Sequence, residues 1–271
     1  MKDDRRADGE PRLIVSSDGP VVTLRLNRPR VRNAIDDALR DELIEAIGKI
    51  GADDAIRVLV ITGEGSAFSA GGDISAMRER LKTAPGRVAA EGWRRIRRTE
   101  RLINTLHDCD KITIAAVNGP ASGFGMDLAL CCDFIVASDT AFFAMSYVLR
   151  GLVPDGGGMY FLPRRVGLAR AKDLIFTGRR VNAPEALSIG IADRVVAAQE
   201  LESATAAWAV ELAKSSATAV SLAKSIVNRS FELDAKDVFA LSAEAMALCY
   251  TTDEHQDSVA EFLDASKSRQ T

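Results

Sequence analysis

Strong signals for several protein classes are missing from this 271-residue chain. It has two histidines and four cysteines. No H-x-x-x-H or C-x-x-C spacing occurs, so no metal site is expected. No G-x-S-x-G nucleophile elbow or phosphate-binding Walker loop appears. Gly63-x-Gly65 is followed by Phe68 where a dinucleotide-binding fingerprint would want glycine. No apolar run approaches the ~18 residues of a membrane span. Positive charge is not in excess: the formal net charge is −3 and the pI is about 5.6. A global field that attracts nucleic acid or an anionic membrane is therefore absent. Aromatic residues make up only 6%, and glycine stops before residue 200.

What is present is ordinary globular composition, with 47% apolar and 27% charged residues, which argues against disorder. Cys109, Cys131, Cys132 and Cys249 form no plausible bridge framework, and a reducing, cytoplasmic setting is expected. The charged stretch MKDDRRADGEP lacks an apolar core behind it and reads as a loose tail over residues 1–11.

The chain between about 12 and 200 alternates strands and helices. Val21–Leu26 has strand character. Ile35, Leu39, Leu43, Ile47 and Ile50 recur at helical spacing. Arg57–Thr62 reads as a buried strand running into Gly63-Glu64-Gly65 and then Ala70-Gly71-Gly72-Asp73. Residues 74–108 read as a polar helical stretch whose buried stripe is expected to be Trp93, Ile96, Ile103 and Leu106. A second buried strand, Ile112–Val117, runs into Asn118-Gly119-Pro120 and Gly123-Phe124-Gly125, with a helix from about Met126. Phe134–Ala137 is a third buried strand. One grammar thus occurs twice, about 54 positions apart: buried strand, glycine turn, helix start. Asn182, Pro184, Glu185 and Gly190 mark a capped helix. Residues 201–271, rich in Ala, Leu, Lys and Glu, read as several helices. The fold class is therefore α/β with a C-terminal helical region.

Two glycine turns at helix starts have a chemical use. A helix start leaves backbone N–H groups unpaired, and glycine lets them approach a ligand closely. Two such amides converging on one carbonyl oxygen make an oxyanion hole.

The letters around both turns extend this. Ser66-Ala67-Phe68-Ser69-Ala70-Gly71-Gly72-Asp73-Ile74 resembles the AFxAGxDI signature of the enoyl-CoA hydratase/isomerase (crotonase) superfamily. Ile114 through Ala129, with Cys132-Asp133, resembles its AAVNGxAxGxGxxLAxxCD segment. Gly151 through Gly158 resembles GLxPxxGG, and Phe176 through Ala192 resembles TGxxxxAxEAxxxGLV. The resemblance runs in order from about residue 12 to 230. It implies a crotonase-like fold of repeated ββα units and an acyl-CoA thioester substrate. Coenzyme A would then be part of the substrate, with no separate cofactor. It places the oxyanion donors at the amides of Gly72 and Phe124, and substrate-binding groups at Ala70, Phe143 and Tyr147. It also implies a homotrimer or a dimer of trimers, with the C-terminal helices at the contacts. Phe124 departs from the Gly or Ala usual at its place, though only its amide is needed.

The acids depart further. Family hydratases carry two glutamates. The first matches Asp127 and the second Tyr147, which cannot act as a carboxylate base. Asp155, in Val153-Pro154-Asp155-Gly156-Gly157, matches the proton carrier of isomerase-like members. Asp155 and Asp127 are therefore the candidate catalytic acids, and double-bond isomerisation is favoured over hydration. Asp155 as a helix cap and Asp127 as a helix-end charge are the competing readings; Asp73 reads as a cap and Asp133 as a structural group. Phe142, Phe143, Met145 and Tyr147 are expected to form an apolar wall beside Asp155. Arg94, Arg95, Arg97, Arg98 and Arg101 read as a solvated helix face. Contact with nucleotide phosphates or RNA is the alternative for this cluster, and a non-catalytic acyl-CoA binder is a third class. Salt-dependent RNA retention, or thioester binding without turnover, would mark them.

Overall fold

A computed structural model describes residues 11–73, 78 and 82–268. The expected N-terminal tail lies almost wholly outside the described residues.

A six-stranded sheet carries the fold, in the order β1 (Leu13–Asp18), β2 (Val21–Leu26), β3 (Val58–Gly63), β4 (Ile112–Val117), β6 (Phe134–Ser138) and β9 (Arg194–Val196). β1 and β2 are antiparallel, and every later pair is parallel. β3 and β4 are buried along their whole length, which is why they read as continuous apolar runs rather than as alternations. Their side chains divide by parity. Leu59, Ile61, Ala115 and Val117 enter the main core with Leu39, Leu43 and Ile47. Val58, Val60, Ile112 and Ile114 face a smaller cluster with Leu201 and Ala209. Val58 sits opposite Ile112 in the parallel ladder. The 54-residue offset seen in the sequence is thus the strand register itself, and it brings both glycine turns to the same end of the sheet.

Helix α1 (Asp37–Gly51) begins where the Asp36 carboxylate accepts from Leu39 N at 2.8 Å. Helix α2 (Pro85–His107) buries Thr99, Leu102, Ile103 and Leu106. The expected stripe is corrected at Trp93, which is 66% exposed. It lies more than a turn before the helix meets the core, with Arg97 over its ring at 5.9 Å. Helix α3 (Phe124–Cys131) is buried at all eight residues. A second sheet of three short strands, β5 (Ala121–Ser122), β7 (Phe142–Ala144) and β8 (Arg180–Asn182), flanks the second turn. α4 (Gly158–Val166) and α5 (Leu168–Thr177) follow, then α6 (Ala183–Ile189). The Asn182 side chain caps α6 by accepting from Glu185 N, and Gly190 closes it at φ 85°, as the sequence pattern predicts.

From Leu201 onward the described residues form four helices. α7 (Leu201–Leu212) covers the outer sheet face with Leu201, Thr205 and Ala209. α8 (Ala217–Val227), α9 (Ala235–Cys249) and α10 (Asp253–Ser268) contain no buried residue among those described. α8 is fastened by Lys224, whose ammonium donates to Asp133 Oδ2 at 2.7 Å and to the Lys111 carbonyl at 2.9 Å. Asp133 also accepts from Thr113 N at 2.7 Å, in keeping with a structural role. No helix among the described residues is long and apolar enough to cross a membrane.

Candidate active site

The first turn leaves β3 and is tied down by Asn33. This buried side chain donates to the carbonyls of Glu64 and Ala67 and accepts from Arg28 N. The second turn leaves β4. The two are laced together: Ser69 N donates to the Pro120 carbonyl at 3.1 Å, and Ser122 N to the Ser69 carbonyl at 3.0 Å. Gly71 has φ +92°, and a Cβ there would stand 2.5 Å from Ser122 O and 3.1 Å from Phe124 N. Glycine is required at this crossing because the backbones nearly touch. Gly123, at φ +52°, starts α3 and anchors itself through its amide to the Ala144 carbonyl at 2.8 Å.

One open cleft is bordered by Ala70, Gly72, Gly123, Phe124, Phe142 and Tyr147. Neither the Gly72 nor the Phe124 amide donates to a protein acceptor among the described residues. Arg32, Arg150 and Arg180 stand on the same wall. A larger cavity lies between the outer sheet face and α7, but holds none of the candidate groups.

Of the site residues expected from sequence, Gly72, Phe124, Ala70 and Tyr147 meet in this cleft. Phe143 does not. It is 0% exposed and belongs to the core. Alternation along β7 turns Phe142 to the cleft instead, with Arg180 over its ring at 4.6 Å. The expected wall of Phe142, Phe143, Met145 and Tyr147 is therefore corrected, since Met145 is buried as well.

Neither candidate carboxyl lies on the cleft wall among the described residues. Asp127, in the first turn of α3, is 0% exposed. Its Oδ2 accepts a short hydrogen bond from the Tyr147 hydroxyl and one from Gly156 N at 3.2 Å. Its Oδ1 is buried beside the backbone of Gly158. Burial pushes the Asp127 carboxyl up to about 7, with the Asp155 charge adding and the Tyr147 hydrogen bond opposing. Burial also drives the Tyr147 phenol well above its usual value, followed by the Asp127 and Asp155 charges.

Asp155 is partly buried and faces Arg95 of α2, with Nη2 to Oδ2 at 3.6 Å. It does not cap α4, whose N-cap is Gly157. Asp73 pairs with Arg28 at 3.1 Å, and the residues it was expected to cap lie outside the described ones. The arginine cluster divides: Arg97 pairs with Glu100 and Arg98 with Asp37 at the surface, while Arg95 turns inward. Its signal was its spacing of four from Thr99, on the buried face of the helix. Arg32, Arg150 and Arg180 gave no sequence signal, because three separate loops and strands bring them together. No cluster of three or more metal-ligating side chains occurs among the described residues.

The family profile described as Enoyl-CoA hydratase/isomerase matches residues 17–270. A short-chain-enoyl-CoA hydratase of Clostridium acetobutylicum is 35% identical over 257 residues, covering 94% of this chain and 95% of that protein. A carnitinyl-CoA dehydratase of Proteus mirabilis is 36% identical over 250 residues, covering 92% of each. The crystal structure of an enoyl-CoA hydratase/isomerase from Cupriavidus metallidurans CH34 superposes with a TM-score of 0.88 at 34% identity, covering 94% of each chain. Motifs, sheet, twin turns and relatives agree along nearly the whole length: the chain belongs to the enoyl-CoA hydratase/isomerase family and has the crotonase fold.

Proposed function

We propose that the protein moves the double bond of an enoyl-CoA thioester, holding the thioester oxygen as an enolate between the amides of Gly72 and Phe124. The observation that carries this is the pair of unpartnered amides from two laced glycine turns on one cleft wall. An enolate gains negative charge on that oxygen as a neighbouring C–H bond ionises, so donors placed there lower the barrier. Arg32, Arg150 and Arg180 supply positive charge suited to the phosphates of coenzyme A. No cofactor is needed beyond the substrate's own coenzyme A.

Isomerisation is preferred to hydration because Tyr147 stands where a second carboxylate would activate water. Asp155 is the proton carrier in this reading. Asp155→Asn is expected to lower turnover by roughly 10²–10⁴-fold, with thioester binding retained. Hydration is the second reading, favoured by the names of the relatives. Incubation with 2-enoyl and 3-enoyl thioesters in D2O, followed by mass spectrometry, separates the two. Migration gives an isomer with no added water, heavier only by exchanged deuterium. Hydration adds D2O, and its dominance would overturn the preference.

Assembly belongs to the same proposal. Three helices without a buried residue among those described gain a core only against other subunits, in a trimer or a dimer of trimers.

A further inference from the structure

Asp127 occupies a position expected of an acid, yet it cannot touch a substrate. It has no exposure, and the Phe124 and Tyr147 residues that border the cleft are packed against it. The turn on its other side is closed as well. A Cβ on Gly156 would stand 2.5 Å from Asp127 Oδ2 and closer still to the Phe124 ring. The residue it reaches that also borders the cleft is Tyr147, through its hydroxyl. The phenol end of that ring lies beside Gly123, 3.8–4.0 Å from where a Cβ would stand. Gly123 immediately precedes the Phe124 amide, so the phenol end of the ring lies beside that donor.

We propose that Tyr147 and Asp127 act as a two-residue proton relay, with the phenol touching the acyl chain and the buried carboxyl storing the proton. The relay rests on the enolate reading given above. In the forward step a substrate C–H bond breaks and its proton joins the Tyr147 oxygen. The phenolic proton passes at the same time to Asp127 Oδ2. The C–H electron pair enters the thioester, giving the enolate, and Asp127 changes from carboxylate to carboxylic acid. The reverse transfer returns a proton to carbon. Asp155 is left to serve the other carbon of the migration.

Burial supports the assignment of Asp127 as the store. A carboxyl held fully out of solvent between α3 and the Gly156–Gly158 turn is favoured in its neutral form and is poised near neutral pH. The titratable groups facing it are the Tyr147 phenol, from the turn after β7, and Asp155, which is itself paired with Arg95 of α2.

The test compares wild type, Tyr147→Phe, Asp127→Asn and the double variant. Deuterium uptake by a four-carbon 2-enoyl-CoA in D2O reports proton transfer, and calorimetric binding of acetoacetyl-CoA reports the two-amide site. Each single substitution is expected to slow uptake by roughly 10²–10⁴-fold while binding is kept. The double variant should be no slower than the slower single, because groups acting as one unit are not additive. Wild-type uptake should fall as pH drops below about 7, and this limb should vanish in Asp127→Asn. If Asp127→Asn does not fold, Tyr147→Phe alone decides, by uptake and by the same limb. Unimpaired uptake in Tyr147→Phe, or effects that multiply in the double variant, would overturn the relay and leave the enolate reading standing. A wild-type protein that neither binds nor exchanges would overturn both.

Discussion

At the scale of single residues, the burial of Asp127 ties the proposed relay to stability. Its carboxyl is raised from 3.8 to about 7 by burial. A raised acid binds its proton in the folded state through that window. Its contribution to stability is therefore present below about pH 4 and lost as pH rises through about 7. The full effect is on the order of 4 kcal/mol. Asp127→Asn removes the ionisation while keeping an oxygen to accept from Tyr147 and Gly156. Urea denaturation should show the variant gaining on wild type between pH 5 and pH 8. A constant difference across that range would contradict the burial argument. The sequence showed an acid in the first turn of a helix beside a glycine turn. It could not show burial, because α3 is short and enclosed on every side, and such a helix has no polar face from which to read an inside.

At the scale of elements, the site depends on how α3 begins. Gly123 holds φ +52° and ψ −123°, a combination that side chains disfavour. Gly123→Ala should rotate the Phe124 amide away from its partner turn. Losing one such donor costs roughly 10²–10³-fold in kcat, and steady-state kinetics should show this with a smaller change in KM. Unchanged kcat would mean that the amide is not a donor in the reaction. Both glycine turns were legible because backbone geometry restricts residue choice there, and their offset even gave the register of β3 against β4. Side-chain direction on β7 was less legible. Phe142 and Phe143 are chemically identical, and only the pairing of this three-residue strand with β5 and β8 decides which one enters the core.

At the scale of the whole molecule, the C-terminal helices set the remaining expectation. Phe231, Phe239 and Phe262 are each more than 70% exposed, and Met246 and Tyr250 more than half. Aromatic side chains of this size bury roughly 150–250 Å² each when covered. Light scattering at micromolar concentration should therefore find a trimer or a hexamer, and Phe239→Asp should shift it toward monomer. A wild-type monomer would count against the assembly. Helicity after residue 200 was legible from composition. Which helices serve the chain's own core was not, because α7 and α9 have similar Ala-rich sequences. Only the position of Leu201 and Ala209 over the sheet separates them.

The single lysine that fastens α8 also orders events in time. Lys224 binds Asp133 and the Lys111 carbonyl, both on strand entrances made more than ninety positions earlier in the chain. When the ribosome releases that lysine, the sheet, the laced turns and α7 have already been synthesised, and α8 docks on a surface that can be complete without it. The last helices are then the first to let go. Amide hydrogens of α9 and α10 should exchange with solvent well before those of β3 and β4, so the tail can open while the laced turns still hold together.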